Sequence, residues 1–89
     1  MGRKECRYDV YARILKFCDV PQNITSIIEL CGLSWKTAQK HIPYLISKGM
    51  LRKIEVPKLP KPLFMTTLKG LQYLKYYGKL QRFLENGEV

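Results

Sequence analysis

The sequence predicts one mainly α-helical domain that carries a small β-hairpin, in the order α-α-α-β-β-α. Its length of 89 residues suits a single modest core. Apolar residues recur at helical spacing in four segments. Two short runs rich in strand-forming residues lie between the third and fourth of these segments, with a proline-rich connection between them. We therefore treat residues 1–89 as one domain, whose last helix spans 67–86.

The first helix is predicted from about Lys4 to Cys18. Its apolar residues recur at intervals of three and four, so they share one face: Val10, Tyr11, Ile14, Leu15 and Cys18. The following "DVPQN" ends the helix, because it contains a proline and several turn-forming residues. This helix is expected to bury one face.

The second helix is short, and Thr25 is its expected N-cap because a threonine side chain can accept from the free amides of a first turn. Ile27, Ile28 and Leu30 are expected on its core side. Gly32 is the expected stop, since glycine adopts the left-handed conformation that ends many helices. This pattern predicts a helix of about seven residues.

The third helix is predicted between Ser34, as N-cap, and Gly49. Its inward stripe consists of residues at i, i+4, i+7 and i+8: Ala38, Ile42, Leu45 and Ile46. Trp35 projects toward the same side of the helical wheel and is expected to pack in the core, with base stacking as the alternative. His41 lies beside the stripe and is expected to be structural.

The opposite side of the third helix is polar and includes a proline. It holds Lys36, Lys40, Pro43 and Ser47, with Thr37, Gln39 and Tyr44 at its margins. A proline inside a helix costs about 3 kcal/mol because it removes a hydrogen bond and crowds the preceding turn. On the solvent side, water can satisfy the carbonyl freed at Gln39. We therefore expect a continuous helix, bent at residues 39 to 43 and convex toward solvent.

Two strands are predicted in "MLRKIEV" and "LFMTT", joined by "PKLPKP". The prolines restrict this connection, which favours a stiff tip that carries Lys58 and Lys61 outward.

Thr67 then caps the last helix. Its apolar residues form two stripes, Leu71 with Leu74 and Tyr73 with Tyr77, Leu80 and Leu84. The second stripe has the 4, 3, 4 spacing of a coiled-coil seam.

The charge of the chain is strongly positive. Sixteen Lys and Arg residues oppose seven Asp and Glu, for a net charge of +9. Between Leu30 and Leu84 there are eleven basic residues and a single acidic one, Glu55. Such a field favours a polyanion, with nucleic acid first, an anionic membrane surface second and an acidic protein third. The alternative is that the excess lysine only keeps the protein soluble.

The sequence offers no catalytic or metal-binding pattern. Cys6, Cys18 and Cys31 form no CxxC pair, and the single His41 follows ten residues after the last of them. Reduced thiols are expected, with a Cys18–Cys31 bridge or an intermolecular bond through Cys6 as alternatives. We find no paired carboxylates, Gly-rich phosphate loop or nucleophile–base pair, so we predict a non-enzymatic protein without a cofactor, metal or small-molecule ligand.

The apolar runs are too short to span a bilayer, and the N-terminus carries charges where a signal peptide needs an apolar stretch, so a cytoplasmic location is expected.

"ITSIIELCGLSWKTAQKHIPYLISKGML" resembles the stretch of archaeal and bacterial winged-helix regulators in which a capped helix leads through a Gly-x-Ser turn into the recognition helix. "TLKGLQYLKYY" is similar to the T-x-x-G-x-x-x-L-x-x-Y that opens the helix after the wing. With the order of elements, these motifs resemble the small archaeal winged helix-turn-helix proteins that bind DNA and dimerise through a C-terminal helix.

The resemblance implies a homodimer that binds double-stranded DNA, as a nucleoid-associated transcription regulator or a chromatin-associated architectural factor. The third helix would enter the major groove, and a basic wing would lie on the backbone or in the minor groove. The implied DNA contacts are Lys36, Thr37, Gln39, Lys40, Tyr44, Arg52, Lys53, Lys58 and Lys61. The implied dimer interface on helix 67–86 is Tyr73, Tyr77, Leu80 and Leu84, although this stripe could instead fold onto the first helix. The alternative function is a winged-helix protein–protein interaction module within a larger assembly.

Overall fold

The computed structural model describes residues 6–86. Four helices and one two-stranded antiparallel sheet follow each other in the predicted order. The elements are α1 (Arg7–Phe17), α2 (Ile24–Cys31), α3 (Trp35–Ser47), β1 (Leu51–Ile54), β2 (Leu63–Thr66) and α4 (Leu68–Asn86). The predicted fold class is therefore confirmed.

Helix α1 supplies the centre of the core. Ile14 and Leu15 have no exposed surface, and residues from α2, α3 and both strands pack around them. Cys6 is the N-cap, and its backbone amide donates to the Asp9 carboxylate at 3.3 Å. The predicted start near Lys4 lies outside the described residues. Within them, the helix begins at Arg7.

Helix α2 begins earlier than predicted. Of its predicted core residues, Ile27 is buried and Ile28 packs partly against the core, but Leu30 does not. The N-cap of α2 is Asn23, not Thr25, and the Asn23 side chain accepts from the Ser26 amide at 2.9 Å. Leu30, expected in the core, is 67% exposed, whereas Cys31 is buried beside Ile27. Residues four apart on a helix differ by about 40° in direction and residues three apart by about 60°, so Cys31 follows Ile27 more closely than Leu30 does.

Helix α3 has the predicted boundaries and the predicted inward stripe. Ser34 accepts from the Thr37 amide at 3.0 Å, and Gly49 has a positive φ of 76° after the last turn. Ala38, Ile42 and Leu45 are buried and Ile46 packs partly against them. Trp35, however, is 53% exposed, which corrects the prediction that it packs in the core. It lies in the first turn of α3, one turn before the first buried residue of the stripe.

The hairpin is shorter than predicted and is joined to α1. Its register pairs Leu51 with Thr66 at one end and Ile54 with Leu63 at the other, and residues 55–62 form the connection. The Thr66 hydroxyl donates to the carbonyl of Leu15 at 2.7 Å, so the second strand is attached to the C-terminal end of α1. We call the two strands and residues 55–62 the wing.

Helix α4 begins where predicted, because the Thr67 hydroxyl accepts from the Gly70 amide at 3.1 Å. Its first half packs on the domain through Tyr73 and Leu74. Its second half extends past the core, and Leu80 and Leu84 are 54% and 61% exposed. Helix α4 therefore has one half inside the domain and one half beyond it.

Candidate nucleic-acid interface

The outer face of α3 is polar and exposed along its whole length. Its exposed residues are Lys36, Gln39, Lys40, Pro43 and Ser47. Pro43 lies inside the helix, which continues to Ser47, as predicted. Because the stripe on the opposite side holds α3 against the core, this face is presented to solvent without burying any charge. The arrangement suits insertion into a nucleic-acid groove.

Two of the predicted contacts lie on the flank of α3 that faces α1. Thr37 is half-buried, and its Oγ1 accepts from the Ser34 hydroxyl at 2.9 Å. Tyr44 is 42% exposed, and its ring stacks on Tyr11 of α1 with the ring centroids 5.4 Å apart. The Lys48 ammonium lies 5.6 Å from the centre of the Tyr44 ring. The Tyr44 ring is therefore held in place by α1, and only part of it is exposed for a contact.

The wing carries the four cations expected of it, in different settings. Arg52 and Lys53 are both exposed on β1, and Lys53 forms an ion pair with Glu55 at 3.4 Å. Lys58 is exposed in the connection. Lys61 donates to the Thr25 hydroxyl at 2.8 Å, which joins the connection to α2. Arg52 and Lys58 are thus the wing cations with no ion pair or hydrogen bond among residues 6–86.

A groove between α1 and α3 contains two cations that the sequence analysis did not single out. We call it the α1–α3 groove; its polar lining includes Arg7 and Arg13 from α1 and Ser34, Thr37 and Lys40 from the start of α3. Tyr11, His41 and Tyr44 form its aromatic wall. The four-residue interval between Arg7 and Tyr11 places them on one side of α1, but nothing local in the sequence indicates that this side meets α3.

The electrostatics of the α1–α3 groove are positive. Burial, the Lys40 ammonium and the Arg7 guanidinium all lower the pKa of His41, so this imidazole is neutral at pH 7. Burial and the nearby Tyr44 raise the pKa of Tyr11, and the Arg7 cation opposes that shift. Arg7 and Lys40 therefore both act on the aromatic wall of the groove, from α1 and α3 respectively.

A second groove lies between α1 and the second half of α4. This α1–α4 groove is lined by all four residues predicted for the dimer interface, together with Cys6 and Tyr8 of α1. The Tyr73 hydroxyl donates to the Tyr8 carbonyl at 2.7 Å, and the Tyr77 hydroxyl donates to the Asp9 carboxylate. Two of the four residues thus contact α1 of the same chain, while Leu80 and Leu84 leave apolar surface exposed. Their role in a dimer stays a prediction.

The remaining sequence predictions concern cysteines, metals and membranes. All three cysteines are free thiols, with Cys18 and Cys31 buried and Cys6 exposed. Residues 6–86 contain no group of three or more His, Cys, Asp or Glu side chains placed to hold a metal ion. Within the same part of the chain, no helix combines the length and apolar character needed to cross a bilayer.

Comparison with known proteins supports the architecture. A family model of winged helix-turn-helix proteins matches residues 4–85. No match to this sequence was found among curated proteins. The structure is similar to that of Sso10a-2, a DNA-binding protein from Sulfolobus solfataricus, with a TM-score of 0.81 and 23% identity over 92% of this chain and 84% of that one.

Two transcriptional regulators are also similar in structure. BldR from Sulfolobus solfataricus has a TM-score of 0.79 and 22% identity over 91% of this chain and 62% of its own. PcaV from Streptomyces coelicolor, solved in complex with its natural ligand, has a TM-score of 0.73 and 19% identity over 100% of this chain and 67% of its own. This chain therefore spans less than two thirds of BldR. At these identities the likeness shows a shared fold.

Proposed function

The chain belongs to the winged helix-turn-helix family, and on that premise we propose that it is a homodimeric DNA-binding protein. Helix α3 enters the major groove of double-stranded DNA and the wing lies on the backbone. The observation that carries this proposal is the outer face of α3, where Lys36, Gln39 and Lys40 are exposed in the first turns of the helix. In helix-turn-helix proteins these turns reach the base edges.

The chemistry of the outer face defines two kinds of contact. Gln39 can pair with adenine through N6 and N7, and a lysine can pair with guanine O6 and N7 or with a phosphate. Lys36 and Lys40, with Arg52 and Lys58 of the wing, mainly contribute affinity that is independent of sequence, because phosphate contacts position a protein without reading bases. For a dimer with several such contacts per half-site, the log of the binding constant should fall with the log of salt concentration at a slope of about −4 to −8.

The test of the interface is a double variant, Lys36→Ala with Lys40→Ala. We expect it to bind duplex DNA more than about tenfold more weakly than the wild type, because each protomer loses two cations from the outer face. The thermal midpoint should hardly change, since both side chains are exposed. The matched control is Lys75→Ala with Lys79→Ala, two exposed lysines on α4. Equal binding by the two double variants would show that α3 does not contact DNA.

The dimer is tested separately. In the α1–α4 groove, Leu80 and Leu84 expose apolar surface beside Tyr73 and Tyr77, which suits the same helix of a second copy. Leu80→Glu should give monomers in light scattering, because it places a charge in the seam. Leu68→Glu is the control, since Leu68 is 82% exposed at the other end of α4. A Leu80→Glu protein that stays dimeric would place the interface elsewhere.

Two further readouts separate the biological alternatives. Footprinting on genomic DNA should protect a short palindrome if the protein is a transcription regulator, or give uniform coverage if it is a chromatin-associated architectural factor. The exposed apolar half of α4 also suits a heterologous partner. Co-purification of a stoichiometric protein partner, without nucleic acid, would favour a protein–protein interaction module over DNA binding.

A further inference from the structure

We propose that the α1–α3 groove binds a phosphodiester group of the DNA backbone, on the flank of α3 opposite the wing. The inference rests on the proposed function, because it assumes that α3 occupies a major groove. It assigns Arg7 and Arg13 of α1 to the DNA interface, in addition to the residues of α3 and the wing.

The two flanks of α3 are distinct. On one flank, a shallow groove runs between α3 and the wing, lined by Gln39, Pro43 and Ser47 on one side and Lys53 and Pro62 on the other. On the opposite flank, the α1–α3 groove is lined by Thr37, Lys40 and Tyr44 of α3. The outer face of α3 lies between these two grooves.

The dimensions of DNA make both flanks meet phosphates. An α-helix with its side chains is about 10–12 Å across and the major groove of B-DNA is about 12 Å wide, so a helix that fills the groove has a sugar–phosphate backbone on each side. The wing supplies cations on one side. On the other side, α3 and its C-cap supply Lys40 and Lys48, and Arg7 and Arg13 add two cations from α1.

The lining of the α1–α3 groove suits an oxyanion. Arg7 and Arg13 carry the guanidinium fork that matches phosphate oxygens, and Lys40 adds an ammonium from α3. Thr37 accepts from the Ser34 hydroxyl, which leaves its own hydroxyl proton to donate to a ligand. The lining contains no carboxylate from residues 6–86, so a phosphate would meet no like charge there.

The aromatic wall beside these cations is formed by contacts within the chain. The Arg7 guanidinium lies 5.6 Å from the centre of the Tyr8 ring, and its charge acts on both Tyr11 and His41. The aromatic wall in turn is held by edge-to-face contact of Tyr11 with His41 and by its stack with Tyr44. The groove is therefore a formed feature of the folded chain, and its Lys40 belongs to the outer face of α3 as well.

The test compares Arg7→Gln, and Arg7→Gln with Arg13→Gln, with the control Lys16→Gln. Lys16 is exposed in the last turn of α1 and does not line the groove. Duplex binding is measured by fluorescence anisotropy at several salt concentrations. Each arginine that contacts one phosphate should contribute about 0.9 to the salt slope. Arg7→Gln should therefore make the slope shallower by about 1 per bound protomer and weaken binding near 0.1 M salt by about fivefold to tenfold per bound protomer, which is about 25-fold to 100-fold for a dimer.

The control should retain the wild-type affinity and slope. Arg7 is exposed, so Arg7→Gln should leave folding unchanged. The single variant therefore keeps the test valid even if the double variant loses stability. A wild-type slope for Arg7→Gln would overturn the inference. If Lys36→Ala with Lys40→Ala still weakens binding in that case, the proposed function stands without the α1 contacts. A wild-type protein that does not bind duplex DNA would overturn both.

A second arm distinguishes a backbone phosphate from a free anion. Wild-type protein is titrated with inorganic phosphate and, separately, with benzoate, and the amide resonances of residues 34–42 and of Tyr44 are followed by NMR. We expect no saturable shift at millimolar concentrations, because a single free anion lacks the DNA contacts made by the outer face and the wing. The groove would be a small-anion site if either anion bound saturably and released DNA while Arg7→Gln kept the wild-type salt slope of DNA binding. That combination would refute the backbone contact.

Discussion

Replacing Gly70 by alanine is the sharpest test of how α4 packs against the wing. Gly70 is buried in the first turn of α4. A Cβ atom there would lie 2.5 Å from Cγ2 of Thr66 and closer still to the carbonyl oxygen of Met50. Both separations are far inside the roughly 3.5–4.0 Å of ordinary carbon contacts. The Met50 carbonyl accepts from the Thr67 amide at 3.1 Å, so moving it away would weaken the bond that leads into α4.

The expected magnitude is the difference between two effects. Forcing a methyl group into a packed site costs about 1–3 kcal/mol, and a clash with backbone belongs at the upper end. Alanine gains about 1 kcal/mol over glycine inside a helix. Gly70→Ala should therefore destabilise the protein by about 2 kcal/mol, which lowers the thermal midpoint by about 8–16 °C for a domain of this size.

Gly78→Ala on the same helix is the matched control. A Cβ there would meet nothing closer than the Arg82 Nη1 atom at 3.9 Å, so only the helix preference remains and stability should rise by about 0.5–1 kcal/mol. Urea unfolding followed by circular dichroism gives both values, at one fixed protein concentration because a dimer's stability depends on it. A Gly70→Ala protein as stable as Gly78→Ala would refute the close approach of α4 to Met50.

Two predictions concern titration and reactivity. Burial, Lys40 and Arg7 lower the pKa of His41 below its ordinary 6.5, and Tyr11 packs on its ring. Just below pH 6.5 only the unfolded chain takes up a proton at His41, so the stability of the folded protein should fall as pH drops through that value. In His41→Gln the urea midpoint should therefore depend less on pH between about pH 7 and 5. An unchanged pH dependence in the variant would contradict this. Burial raises the pKa of Cys18 to about 12, so a thiol reagent should label exposed Cys6 first and Cys6→Ser should remove the fast phase. A fast phase that survives in Cys6→Ser would contradict the burial of the other thiols.

Much of the fold follows from short-range chemistry in the sequence. The caps at Ser34 and Thr67 and the stops at Gly32 and Gly49 were predicted and are confirmed, because each depends on hydrogen bonds or φ angles within a few residues. The inward stripe of α3 is confirmed for the same reason, since helical periodicity alone separates its two faces.

The errors arise where distant packing decides the outcome. Leu30 and Trp35 were expected in the core, and both are more than half exposed. A helical wheel shows the direction of a side chain around the axis. It does not show how far along that axis the neighbouring elements extend. The N-cap of α2 is Asn23, whose side chain accepts from the Ser26 amide, and the preceding Gln22 pairs with Phe64 of β2, a contact between distant parts of the chain.

The sequence by itself determined the order of the elements, the N-caps of α3 and α4, the positive charge and the polar face of α3, because each depends on composition or on neighbours along the chain. Only the tertiary structure decided what stands beside that face. Packing of α1 against α3 places Arg7 and Arg13 in the groove that Lys40 also lines, and packing of α1 against α4 joins Tyr73 to Tyr8. Such neighbours come from remote segments that share one core, so no local pattern in the sequence could specify them.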